Sequence, residues 1–139
     1  MTILLNVAIT TAVTGLVGTV FQLRGRNAER PAIMAAQGTC AGTAGTSMTW
    51  WLQTSCDGGV TFFDTLAYAH VAAGRAGGAV SGAAGVTPAV LTDGTAASPF
   101  VLNLFGNLWR IKYSSVGTWT AGNLRVDAFT DGILSLGTS

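Results

Sequence analysis

The chain has 139 residues, enough for one domain with a single core. Charged residues make up 9%, hydrophobic residues 49%, and the net charge is +1. An ordinary soluble domain is about 25% charged. No basic run is present to neutralise a row of phosphates, so nucleic acid is excluded as the expected partner. Interspersed charge normally keeps a free monomer soluble. Its scarcity implies that much of this surface is covered in the working state.

Met1 to Leu23 carries no charged side chain. It is expected to be neither a signal peptide nor a membrane span, because it lacks a basic start and polar Thr and Asn recur through it. Two short strands are predicted, Ile3 to Thr10 and Thr19 to Leu23, around a Thr/Gly-rich turn. Asn27 to Ala36 is the one stretch with a helical turn in prospect. Gly42 to Ser47 faintly resembles a phosphate loop but has no Lys and no following helix, so that reading is discarded. Cys40 and Cys56 have no metal-ligand spacing. Two buried, reduced thiols are expected, with a disulfide as the alternative.

Met48 to Thr54 alternates, with Met48, Trp50 and Leu52 on one face and Thr49, Trp51 and Gln53 on the other. Asp57-Gly58-Gly59 is a turn signal between this run and Val60 to His70, which together predict a β-hairpin. In the second strand Val60, Phe62, Asp64, Leu66 and Tyr68 are placed on one face. His70, the lone histidine, is read as a strand-end residue, since no third group is evident to make it a base. Val71 to Gly85 is rich in Gly and Ala. It is expected as a long loop, flexible or ordered by a partner, or as a thin strand. Pro88 to Leu91 and Phe100 to Leu104 are short strands, the first ended by a turn at Thr92-Asp93-Gly94. Leu108 to Ser114 points Trp109, Ile111 and Tyr113 to one side. Leu124 to Phe129 sets Leu124, Val126 and Ala128 against Arg125, Asp127 and Phe129. The loop between them, Ser115 to Asn123, is read as a hairpin. The 131–139 tail is Gly/Ser/Thr-rich and is expected to be mobile or docked on a neighbour. About eight short strands with Gly-rich turns predict one all-β domain, an antiparallel β-sandwich of jelly-roll type.

Ser55-x-Asp57-x-Gly59-x-Thr61-Phe62 resembles the Asp-box of sialidases and other β-propellers. In that family the box is a hairpin element, usually remote from the active site. Ser55, Asp57, Gly58, Gly59, Thr61 and Phe62 are therefore read as a structural turn, with a glycan contact by Asp57 as the lesser alternative. Trp50 and Trp51 must face opposite ways, so one of them is available for a covering loop or a partner. No nucleophile–base pair and no paired carboxylates emerge. No enzyme activity, metal or cofactor is expected.

Over roughly residues 48 to 129 the chain resembles small accessory proteins of tailed-phage virions. The resemblance lies in Trp50-Trp51-Leu52-Gln53-Thr54-Ser55-x-Asp57-Gly58-Gly59, Leu91-Thr92-Asp93-Gly94-Thr95, Leu108-Trp109-Arg110-Ile111-Lys112-Tyr113 and Leu124-Arg125-Val126-Asp127-Ala128. It implies a decoration or cement protein on the capsid surface, assembled in the host cytoplasm. The partners implied are copies of itself, as a homotrimer, and the major capsid protein; no membrane is implied. Arg24, Arg26, Arg30, Trp51 and Trp119 are the candidate interface residues. The alternatives are a head-fibre base, a connector, a tail protein or a glycan-binding module.

Overall fold

A computed structural model describes residues 1–25, 32–82, 89–102 and 104–137. The described residues are all-β, with no helix. Ten strands form one antiparallel sheet: β1 (Thr2–Ala8), β2 (Val13–Val17), β3 (Phe21–Arg24), β4 (Ile33–Thr43), β5 (Ser47–Ser55), β6 (Phe63–Ser81), β7 (Ala89–Val101), β8 (Leu108–Val116), β9 (Thr120–Thr130) and β10 (Ile133–Leu136). The sheet is nearly closed into a barrel-like shape.

The pairing registers explain that shape. Residues 2–24 run antiparallel along 108–130, first β1 on β9 and then β2 and β3 on β8. Residues 108–130 run along 33–55, with β9 on β4 and β8 on β5. Residues 33–55 run along β6, which pairs with β5 through 63–70 and with β4 through 74–81. β7 follows the outer edge of β6. Each segment therefore crosses a common crease, and the sheet folds back over itself there.

The crease uses backbone conformations that favour glycine. Gly42 lies at φ +108° and Gly117 at +86°, and Ala44 and Ala121 also adopt positive φ. The Trp119 indole lies flat over Gly45, where a Cβ would overlap the ring. The arms meet through the core. Met48, Trp50, Leu52, Leu66, Tyr68, Ile111, Leu124 and Val126 are fully buried. Trp50 stacks on Tyr68 with ring centroids 5.1 Å apart, and its indole fills the space beside Gly38 on the facing arm.

Several expectations are corrected. The 1–23 region holds β1, β2 and the start of β3, because its Thr/Gly stretch finds a ladder on β8. Residues 33–36, expected to be helical, are strand because they pair with both β6 and β9. Of the two readings of Val71 to Gly85, the strand holds over 71–81, the second half of β6, where small side chains let two neighbouring strands close in; 83–85 lie outside the described residues. Thr92-Asp93-Gly94 lies inside β7, opposite Ala76, Arg75 and Gly74. β8 and β9 do not pair as a hairpin, since both edges of each are taken, β8 by β5 and by β2 and β3, and β9 by β4 and β1. The tail residues 133–136 form β10 on β3.

Candidate functional site

The Asp-Gly-Gly turn closes the β5–β6 hairpin as expected, and its side chains satisfy its own backbone. Ser55 Oγ accepts from Gly59 N–H at 2.9 Å and donates to Asp57 Oδ1 at 2.8 Å. Asp57 Oδ1 also accepts from Thr61 N–H at 2.9 Å. These bonds to the charged form, the Thr61 amide foremost, hold the Asp57 carboxyl below its ordinary range. Gly58 and Gly59 take positive φ. Phe62 is half-buried, with the Arg110 guanidinium 3.9 Å from its ring centroid. The six residues lie together in and beside the turn. Cys56 beside the turn is exposed, and Cys40 is buried, so both are free thiols but only one is covered.

The outer face of β5, β6 and β8 carries a polar row. Gln53 Nε2 donates to Asp64 Oδ1 at 2.7 Å, and Arg110 Nε donates to Gln53 Oε1 at 2.8 Å. Lys112 pairs with Asp64 at 3.2 Å and lies 4.5 Å from the centroid of Trp51. A bulge builds this row. Leu52 pairs with Leu66 but Gln53 pairs with Asp64, leaving Thr65 as an extra residue. Asp64 therefore faces outward while Leu66 and Tyr68 face the core, although alternation puts all three on one side. Trp51 lies on this face, half-buried and capped by Lys112.

The other interface candidates separate. Trp119 is only 4% exposed and belongs to the core, not to a free surface. Its interface reading is overturned by its packing over Gly45. Arg24 is exposed at the end of β3 and reaches Gln22. Arg26 and Arg30 lie outside the described residues. His70 is fully buried and accepts from Trp50 Nε1–H at 3.0 Å. Burial lowers its pKa, and its Nδ1 has no described hydrogen-bond partner. It faces the core and not a cleft.

Two surfaces were not singled out by the sequence. The first is an open strand edge. β1 and β2 are each paired on one side, and no described strand covers the other. Ile3, Leu16 and Val17 are exposed along it, at 45, 46 and 50%. The second is a groove of about 610 Å3 on the outer face of β4, β6 and β9. Gln37 and Thr39 of β4 and Arg125 and Asp127 of β9 line it, with Arg75 on the β6 side and Phe129 and Met1 at one end. Alternation alone puts Arg125, Asp127 and Phe129 on one common face. Their meeting with Gln37 and Arg75 depends on register, which no local pattern encodes.

Among the described residues no group of three His, Cys, Asp or Glu side chains could hold a metal ion. No helix of the described residues is long and apolar enough to cross a membrane. No family model, curated protein or solved structure matches the chain.

Proposed function

We propose that this chain is a structural component of a virion, a decoration or cement protein that binds the outside of a phage capsid and stabilises contacts between its subunits. The single observation that carries this reading is the open β1–β2 edge, free of charged side chains and studded with Ile3, Leu16 and Val17. Monomeric proteins blunt such edges with charge, proline or a covering element. An edge left bare suits a chain whose working state supplies the cover. The charge-poor composition supports the same reading, because a lattice hides surface that a free monomer must solvate.

The proposed partners are other copies of this chain, as a homotrimer, and the major capsid protein. Repeated weak contacts on a fixed lattice would supply the affinity, with no enzymatic step. On this reading the two sets of arms are the sheets of a β-sandwich of jelly-roll type, and the protein is assembled into the virion in the host cytoplasm.

The test has two measurements. Light scattering on the purified chain is expected to give a discrete oligomer. Mixing it with capsids lacking it is expected to give saturable binding and a higher capsid melting temperature. A monomer that leaves those capsids unoccupied would overturn the proposal.

A further inference from the structure

The groove on β4, β6 and β9 is unused by the assembly reading, although β1 borders it, with Ile3 opposite Asp127 in the ladder. Asn123 marks its crease end and Phe129 its far end. Six residue-to-residue steps of strand join them, a length of about 20 Å at about 3.3 Å per residue. Its floor is made of side chains and not of unpaired backbone, because β4 and β9 are paired on both edges. An extended peptide would find no strand edge to join there. The floor is also shallow, so it offers no enclosed pocket for a peptide side chain.

The groups present suit a different ligand. Gln37, Asn123 and Asp127 are planar donors or acceptors, and all three are partly buried on the outer face. Arg125 Nε donates to both Asp127 oxygens, at 3.0 and 3.1 Å, which holds the carboxylate in a fixed orientation. Asn123 Nδ2 donates to Asn6 Oδ1 at 3.2 Å, which fixes the amide. Hydroxyl-rich molecules are recognised by pre-oriented planar polar groups that both donate and accept. They add apolar contact where a ring face meets an aromatic side chain, and Phe129 is 44% exposed at the groove's end. We propose that this groove binds a carbohydrate chain of about three or four sugar units. Its ends are set by Asn123 and Phe129, and Gln37, Arg125 and Asp127 form the hydrogen-bonding floor.

The test is an amide-shift titration of the full chain by NMR with four probes: maltotetraose, cellotetraose, chitotetraose and tetragalacturonate. At least one probe is expected to shift the amides of 37, 123, 125 and 127 in a saturable way. Gln37→Ala and Phe129→Ala are expected to weaken that binding at least tenfold each. Both side chains are on the outer face, so the fold is retained, as an unchanged spectrum elsewhere would verify. Trp51→Ala, on the opposite outer face, is expected to leave affinity unchanged. Shifts centred on Trp51, silence of all four probes, or affinity indifferent to Gln37→Ala and Phe129→Ala would each overturn the proposal. None of these outcomes bears on oligomer formation or capsid binding, so the two proposals fail separately.

Discussion

Trp50 and His70 share the one buried side-chain hydrogen bond between two ring systems in the described core, and it makes the fold sensitive to acid. His70 Nε2 accepts from the indole, so this pairing requires the neutral ring. Burial lowers the His70 pKa below its ordinary 6.5. Below pH 6.5 the unfolded chain therefore takes up a proton that the folded chain refuses. The resulting loss of stability is absent above pH 6.5, grows as pH falls toward the lowered value, and then levels off. In that window urea stability is expected to fall by about 1.4 kcal/mol per pH unit. His70→Gln, which keeps an acceptor for Trp50, is expected to flatten the dependence. An equal decline in the variant would assign it to other groups. Gly38→Ala tests the other side of the same indole. Its Cβ would overlap the ring, and a loss of about 1–3 kcal/mol is expected by urea denaturation. Thiol labelling should read one cysteine per folded chain, since burial pushes the Cys40 thiol up to about 11 while Cys56 is exposed. That Trp50 and Trp51 face opposite ways was legible from alternation alone. The burial of Trp119 was not, because the flat floor it needs is Gly45, brought to it only by the crease.

The β5–β6 hairpin is the element most fully readable from sequence, because its turn is stabilised locally. Ser55 is fully buried, and its hydroxyl bridges the turn. Ser55→Ala is expected to cost about 1–3 kcal/mol by leaving the Gly59 N–H unsatisfied. Hydrogen exchange would check this at a single site, as the Gly59 amide should lose protection first. Asp57→Ala should instead expose the Thr61 amide, while Asp57→Asn, which keeps an acceptor, should protect it. The strand beyond the turn was harder to read. The Thr65 bulge reverses the faces, and no composition signal announces it; the extra residue is held by Thr65 Oγ1 donating to the Leu52 carbonyl at 2.9 Å. The second half of β6 was obscure for a different reason. Alanines and glycines carry little strand preference of their own. Here the ladder is imposed by neighbours: β4 and β7 pair on both sides, and the Gly77 carbonyl accepts the Tyr68 hydroxyl at 2.5 Å. A Cβ at Gly77 would collide with the Ala36 carbonyl, so the small residue is a packing requirement and not a mark of a loop.

At the scale of the whole molecule, long strands bent at one crease replace the short hairpins that turn signals suggest. That geometry leaves a consequence at the outer edge of the first segment. β10 covers β3, but β1 and β2 end the sheet without a described strand beside them. The ladder groups on that side are open to a second chain, and Leu16 and Val17 add apolar surface beside them. Self-pairing there meets no charge repulsion, because no charged side chain occurs before Arg24. Leu16→Lys combined with Val17→Lys places two cations on the edge, the device by which natural sheets resist pairing. Both side chains are exposed, so the monomer fold should persist, with a melting temperature close to that of the parent chain. Self-association is expected to weaken at least tenfold, about 1.4 kcal/mol. Capsid occupancy should fall with it if trimers are what the lattice holds. Leu16→Ser with Val17→Ser separates charge from lost apolar area: it should weaken association less, because the open backbone groups remain available. An unchanged association constant in the lysine variant would move the self-contact away from β2 and leave the bare edge without its proposed role.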